Sequence, residues 1–201
     1  MIDFYTFTTP NGRKPAIMLE EVGLSYTTHK IDITKGEQFT PEFIAINPNS
    51  KIPAIIDHDP GITVFESGAI LIYLAEKTGR FMPQDLEGRT KVIEWVMFQM
   101  ASVGPMMGQL NHFKRFATEK IPYAIERYEK ETYRIFGVLD SQLSEQDYLT
   151  GDYSIADMAT YPWIAAASFA HVTLDNHPNL KRWAEMLGER SAVQKGMAIL
   201  Q

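Results

Sequence analysis

The stretch Asn47-Pro48-Asn49-Ser50-Lys51-Ile52-Pro53 leads directly into a short apolar segment that ends at Asp57. A second β-prone segment, Ile62 to Phe65, begins so soon afterwards that the two strands are predicted to form an antiparallel hairpin. Ser67 is then expected to cap an apolar helix that runs from Ala69 to Lys77. The stretch therefore predicts a β-β-α unit.

Toward the N-terminus the chain predicts a β-α-β unit. Residues 2–7 alternate and are rich in aromatic side chains, residues 12–22 have a helical apolar face, and residues 26–33 are β-prone. Strands joined through a helix are predicted to pair in parallel. A further helix is indicated where Pro41 follows Thr40. The order β-α-β-α-β-β-α is thus complete within residues 1–80, which predicts an α/β domain.

Toward the C-terminus the pattern changes to helices alone. A linker is predicted at residues 81–87, and residues 88–201 are predicted to form an all-α helical domain. Its helices are expected at residues 88–115, 120–145, 154–169 and 178–190. Ser154-Ile155-Ala156-Asp157 has the form of a capping box at the start of the third helix.

The composition excludes several classes of protein. Hydrophobic residues make up 45% of the chain and charged residues 22%, values typical of a globular protein. No apolar run suits a transmembrane helix, no secretory signal is visible, and the net charge of −6 argues against nucleic acid as a partner. No metal-ligand spacing occurs. The chain has no cysteine, so a cytoplasmic location is expected and any reacting sulfur must arrive with a ligand.

Four segments together resemble one protein family. They are Thr9-Pro10-Asn11-Gly12, Lys35 to Phe39, Gly104-Pro105-Met106 and Ile121 to Tyr128. Over its whole length the chain resembles the cytosolic glutathione transferases, and these segments are similar to the bacterial nu class of glutathione-dependent disulfide-bond oxidoreductases. That class is in turn similar to the yeast nitrogen-regulating prion protein. The resemblance implies a thioredoxin-like N-terminal domain, glutathione as bound co-substrate, no metal and a homodimer.

The resemblance assigns the charged head of glutathione to one helix end. Its γ-glutamyl carboxylate is expected at the N-terminus of the helix at Ser67, where free N–H groups and the helix dipole favour an anion. Glu66 offers a negative partner for the ammonium group. The alternative is that Ser67 is only a helix cap and Glu66 only a first-turn acid.

The remaining parts of the tripeptide are assigned in the same way. The family carries a cis proline at the position of Pro53, which turns the backbone of Ile52 toward the ligand; a trans proline opening an edge strand is the alternative. Lys51 and Gln38 are candidates for the glycine carboxylate and neighbouring backbone, although a lone lysine is more often simply solvated. Arg127 either reaches a glutathione carboxylate from the second domain or belongs to a surface helix with i,i+4 charge pairs.

Thr9 and Asn11 are expected to hold the reactive sulfur over the start of the first helix. A helix N-terminus with hydrogen-bond donors lowers the pKa of a thiol, and both residues are also favoured caps, so the two roles are compatible. Tyr5 is the other candidate for this role, because some transferase classes use a tyrosine hydroxyl from the first strand; a packed core or cleft residue is the favoured interpretation.

The expected function is reduction of small disulfides by the thiols of two glutathione molecules, without a protein cysteine. Two alternatives stay open: conjugation of glutathione to an electrophile, and a non-catalytic glutathione-binding regulatory module. The first alternative requires one glutathione and an apolar pocket for the acceptor.

Overall fold

The computed structural model describes the whole chain, Met1 to Gln201. The chain divides into two compact units, one made of Met1–Met82 with Arg190–Gln201 and the other of Pro83–Glu189. The elements in chain order are β1 (Ile2–Thr6), α1 (Pro10–Val22), β2 (Tyr26–Lys30), α2 (Pro41–Ile46), β3 (Ala54–Asp57), β4 (Ile62–Phe65), α3 (Ser67–Thr78), α4 (Leu86–Phe98), α5 (Gly104–Asn111), α6 (Pro122–Gln142), α7 (Ile155–Ala165), α8 (Pro178–Gly188) and α9 (Ser191–Met197).

The first unit is built on a mixed four-stranded sheet. The strand order is β2-β1-β3-β4, with β1 parallel to β2 and the other neighbours antiparallel. This confirms the predicted parallel pair and the predicted hairpin. On the central strand β1, residues with one parity (Ile2, Phe4 and Thr6) are buried, as expected when a strand turns one face to a helical layer.

Helix α3 packs against β3 and β4, and α1 packs against α3. Ile17 and Leu19 of α1, and Leu71 and Leu74 of α3, are fully buried. The last helix, α9, packs on α1 so closely that a Cβ atom on Gly196 would lie 2.5 Å from the backbone nitrogen of Ile17. Arg190, just before α9, donates to both carboxylate oxygens of Glu21 at 2.9 and 3.2 Å. The sequence prediction placed residues 190–201 in the helical domain; the structure differs, because Gly196 permits close helix contact with the first unit.

The second unit is helical. One long helix was predicted over residues 88–115, but the structure has α4 and α5 separated by a π-helical segment, Gln99–Val103, and followed by another, His112–Phe116. Pro105 has no N–H group to continue an α-helical ladder, and π segments arise where that ladder is interrupted. No helix in the structure has the length and apolar character needed to cross a lipid bilayer.

The capping box predicted at the start of α7 is confirmed. Ser154 and Asp157 exchange the expected hydrogen bonds, and the Asp157 carboxylate also accepts from the Leu149 N–H at 3.0 Å and from Trp183 Nε1 at 2.9 Å. Burial raises the pKa of Asp157 to about 6 against the lowering effect of these donors, so the group is ionised at neutral pH. Asp157 therefore joins the start of α7 to the middle of α8 around one buried carboxylate.

Candidate functional site

The start of α1 presents hydrogen-bond donors. Thr9 is the N-cap, and its Oγ1 accepts the Gly12 N–H at 3.2 Å, which leaves the hydroxyl hydrogen available to a ligand. A Cβ atom on Gly12 would collide with the carbonyl oxygen of Phe7 and the hydroxyl of Thr6. The Thr-Pro-Asn-Gly turn therefore packs closely against residues 6 and 7. Thr9 is the N-cap of α1, and Asn11 lies in the first turn of this helix.

The loop before β3 presents an unpaired backbone. The Ile52–Pro53 peptide bond is cis, as predicted. Asn47 is buried and stabilises the loop: its Nδ2 donates to the Lys51 carbonyl at 2.6 Å and its Oδ1 accepts the Asn49 N–H at 2.9 Å. The N–H and C=O groups of Ile52 have no partner within the protein. The loop can therefore offer one donor and one acceptor to an extended peptide, as strand addition requires.

The start of α3 differs from the prediction in one respect. Glu66, not Ser67, occupies the N-cap position, with φ 68° and ψ 118° and no side-chain cap; Ser67 is the first helical residue. The prediction that Ser67 caps this helix is wrong, because its hydroxyl accepts from Lys14 Nζ at 3.4 Å instead. A positive φ at a non-glycine residue such as Glu66 is a strained conformation typical of functional sites.

Two of the sequence motifs meet at Glu66. Its Oε1 accepts from Asn49 Nδ2 at 3.4 Å, so the loop before β3 and the start of α3 lie side by side. The backbone N–H groups of Gly68 and Ala69 in the first turn of α3 have no acceptor in the protein. An anion at this helix end would therefore find free donors and the positive end of the helix dipole.

Gln38 and Lys51 lie in the same unit. Gln38 follows Gly36 in a short 3-10 helix, and its Nε2 donates to the Ile33 carbonyl at 3.4 Å. Its Oε1 is buried without a partner, which is costly unless a ligand donates to it. Lys51 is exposed and forms no ion pair.

Arg127 lies on α6 in the second unit. It lines a cavity of about 620 Å³ together with Met106, Tyr123, Tyr128 and other residues of α6. Glu131, its i,i+4 neighbour, instead accepts two hydrogen bonds from Arg134 at 2.8 and 2.7 Å. The guanidinium of Arg127 makes no hydrogen bond or ion pair in the protein. Its charge nevertheless helps Arg134 to lower the pKa of Glu131, so the interaction expected of a surface helix is present in a weak form.

Tyr5 is a packing residue. Its ring stacks on His29 with centroids 4.7 Å apart and lies against Phe43, and burial raises the pKa of its hydroxyl.

Sequence reasoning missed Lys14, because lysine usually indicates a solvated surface. It is only 1% exposed, and burial lowers its pKa to about 7 against the opposing charge of Glu66. A signal existed in the pattern: Ile17 and Met18, three and four residues further along the helix, are fully buried, so Lys14 lies on the apolar face of α1.

A mixed four-stranded sheet with a cis proline before its third strand, joined to an all-helical unit, defines the glutathione S-transferase fold. The chain belongs to that family. The family description "Glutathione S-transferase, N-terminal domain" matches residues 2–76, and "Glutathione S-transferase, C-terminal domain" matches residues 122–185.

Individual relatives are similar over nearly the whole chain. The disulfide-bond oxidoreductase YfcG of Escherichia coli K12 is 46% identical over 207 residues, covering 100% of this chain and 95% of the relative. A glutathione transferase of Burkholderia graminis, solved with two glutathione molecules bound per subunit, has a TM-score of 0.93 at 43% identity, covering 100% of this chain and 88% of that one. A glutathione transferase of Pseudomonas putida, solved with one glutathione disulfide per subunit, has a TM-score of 0.93 at 40% identity, covering 100% and 92%.

Proposed function

We propose that this protein is a glutathione-dependent disulfide-bond reductase of the nu class that uses the thiols of bound glutathione in place of a protein cysteine. One observation carries the proposal: a chain without cysteine has, at the Thr9 hydroxyl, at Ile52 before β3 and at Gly68 and Ala69 in α3, the unpaired groups that a small thiol peptide needs. The similarity to a disulfide-bond oxidoreductase, and to structures with two glutathiones or one glutathione disulfide, supports it.

Each part of glutathione has a proposed partner. The carboxylate of the γ-glutamyl residue binds the first turn of α3 at Ser67. The ammonium group of the same residue pairs with Glu66. The backbone of Ile52 pairs with the cysteinyl residue, because its N–H and C=O are unpaired. Gln38, with its orphaned Oε1, and the exposed Lys51 bind the glycine end.

Thr9 and Asn11 are the proposed catalytic residues. The Thr9 hydroxyl and the Asn11 amide donate to the glutathione sulfur, and these donors at the N-terminus of α1 stabilise its thiolate form. The thiolate attacks one sulfur of the substrate disulfide, forms a new S–S bond and expels the other sulfur as a thiolate, which takes up a proton. A second glutathione thiolate attacks the glutathione sulfur of this mixed disulfide and releases the second substrate thiol. The products are two substrate thiols and one glutathione disulfide.

Arg127 is proposed to bind a carboxylate of glutathione, since its guanidinium makes no hydrogen bond or ion pair within the protein. We further propose a homodimer and a cytoplasmic location, the latter because reduced glutathione is the reductant of that compartment. Replacing Arg127 by Ala should raise KM for glutathione, whereas Lys195→Ala, which removes a charge on α9, should not. Equal KM values for all three proteins would remove Arg127 from the site.

The central experiment compares the wild type with Thr9→Ala, Thr9→Ser and Asn11→Ala in glutathione-dependent reduction of a small disulfide. Loss of one donor to the thiolate should reduce turnover about 10²-fold, by analogy with donors to other developing anions. Thr9→Ser keeps a hydroxyl at the same position and should retain most of the rate. Wild-type rates no higher than the uncatalysed reaction would reject the function itself.

A second candidate is conjugation of glutathione to an electrophile, favoured by the transferase families that match both parts of the chain. The same thiolate would attack a carbon centre, and one glutathione would suffice. Parallel assays with a chloronitrobenzene and a disulfide distinguish the two: faster conjugation than disulfide reduction would favour the transferase. Binding of glutathione without turnover on either substrate would indicate a regulatory module.

A further inference from the structure

Lys14 and Ser67 join two motifs that are 53 residues apart in the chain. The lysine extends from the buried face of α1, and its Nζ lies 3.4 Å from the hydroxyl of Ser67 at the first position of α3. Glu66, the neighbouring N-cap residue, is the acid whose charge favours the ammonium form of Lys14. The buried lysine thus adjoins both residues proposed to hold the γ-glutamyl group.

We propose that Lys14 is a positioning residue for glutathione, whose ammonium fixes Ser67 and strengthens the anion-binding start of α3 from inside the protein. The inference rests on the function proposed above and adds a residue that contacts the ligand only through others. It also makes the affinity for glutathione depend on the protonation of one buried side chain.

The chemistry of burial supports a role beyond packing. A charged ammonium is costly to bury in an apolar interior, even with hydrogen-bond partners such as the Ser67 hydroxyl. Methionine, of similar length and volume, would fill the same space without this cost. The bound γ-glutamyl head would instead bring its carboxylate to Ser67, the residue that Lys14 contacts, and its ammonium to the exposed Glu66 side chain. The carboxylate favours the charged lysine, and the ammonium offsets part of this effect.

The other charged groups on the packed elements have partners elsewhere, except Arg13, whose Nε is buried without a hydrogen-bond partner. Arg190 binds Glu21 and Lys195 lies 4.0 Å from Glu20, both toward the far end of α1, while Lys77 near the end of α3 binds Asp57 at 2.8 Å. On β1, Asp3 binds His29 and His58. Arg13, beside Lys14 on α1, and Glu76 on α3 complete the set. Of these groups and Glu66, only Glu66 influences the pKa of Lys14.

A proton linkage follows from this arrangement. Because the pKa of Lys14 is about 7, part of the population is neutral near neutral pH. If ligand binding favours the ammonium form, the protein must take up a fraction of a proton as it binds. A lysine with a purely structural role would show no such uptake.

The test is isothermal titration calorimetry with S-methylglutathione, which lacks a titrating thiol, in buffers of different ionisation enthalpy. Wild type should take up a fraction of a proton near pH 7, and its affinity should fall severalfold between about pH 6 and pH 8. Lys14→Met should bind about tenfold more weakly at the lower pH and lose this uptake. Lys195→Met, with the same change of charge in the same unit, should behave as wild type.

Steady-state kinetics give a second readout. Lys14→Met should raise KM for glutathione and change kcat at saturation much less, since the thiolate site at Thr9 and Asn11 is intact. Lys14→Gln serves as a second variant if the methionine variant does not fold, and the proton uptake of wild type needs no variant. Wild type that binds without uptake, or variants that bind as tightly as wild type, would overturn the role of Lys14 and leave the proposed function standing. Wild type that does not bind S-methylglutathione would overturn both.

Discussion

Asn47 and Lys51 close the loop that precedes the cis proline, with the Asn47 amide donating to the Lys51 carbonyl at 2.6 Å. The Asn47 side chain is only 2% exposed, so its two hydrogen bonds are protected from water. The backbone of Ile52 is therefore presented to a ligand by a loop that is already ordered. Such preorganisation reduces the entropy that binding would otherwise cost.

Asn47→Ala should lower the free energy of unfolding by about 1–3 kcal/mol, because it leaves the Lys51 carbonyl and the Asn49 N–H without their partner. It should also weaken the binding of S-methylglutathione. Asn47→Asp keeps the acceptor but buries a carboxylate whose second oxygen faces the Lys51 carbonyl, so a loss at least as large is expected. Urea unfolding and calorimetry measure the two effects, and a variant with wild-type values for both would contradict this account of the loop.

Gly12→Ala should destabilise the first unit by about 1–3 kcal/mol, because the added methyl group would overlap the Phe7 carbonyl and force the turn apart. Gly137→Ala is the matched control, since a Cβ atom on that residue of α6 meets nothing within 4 Å. A helix gains about 0.5–1 kcal/mol from this change at an unobstructed position. Thermal unfolding should therefore shift in opposite directions for the two variants; a shift in the same direction would refute the steric argument.

Asp157→Ala should destabilise the helical unit by about 3–5 kcal/mol, since it leaves several buried donors without an acceptor. One of them is Trp183 Nε1, so tryptophan fluorescence should also report the change directly. Asp175→Ala, a similar loss of a carboxylate at an exposed position, should stay within about 0.5 kcal/mol of wild type. Equal unfolding midpoints for the two variants would show that the buried carboxylate stabilises little.

The stability of the first unit should fall in acid through Asp3. Hydrogen bonds from His29 and then His58, at 2.9 and 2.6 Å, hold the pKa of Asp3 below its usual value. A carboxyl whose pKa is depressed by folding stabilises the protein above its unfolded pKa and loses that stabilisation as the pH falls through the native value.

Between about pH 5 and pH 3, the Tm of Asp3→Asn should therefore fall less than that of wild type. The difference between the two falls is the contribution of Asp3. Asp59→Asn, at a carboxylate that is 81% exposed, is the control and should follow the wild-type curve. Parallel pH curves for wild type and Asp3→Asn would mean that the two histidine contacts add nothing to stability.

Local patterns predicted the elements that lead to the site. The hairpin of β3 and β4, the parallel pair β1–β2 and the cis bond before Pro53 are all present in the structure. The hairpin and the parallel pair were predictable because each depends on the connection between its two strands. The cis bond was implied by the family resemblance, and a trans proline was the alternative. The capping box at Ser154 was predictable because it depends on a motif with one geometry.

Features that depend on tertiary packing were not predictable. The prediction that Ser67 caps α3 was wrong because no sequence rule brings Lys14 to its hydroxyl, and the strained backbone of Glu66 has no propensity signal. The interruption of the long helix near Pro105 was missed because a proline near a helix start and one inside a helix read alike. The destination of α9 depends on a contact with Ile17, near the other end of the chain.

The contact between Gly196 and Ile17 has a consequence for synthesis on the ribosome. The sheet and α1 emerge early, yet the segment that completes their unit follows the entire helical region. The apolar surface of α1 that α9 covers therefore stays exposed, or bound to a chaperone, while the ribosome translates more than a hundred further residues, Pro83–Glu189.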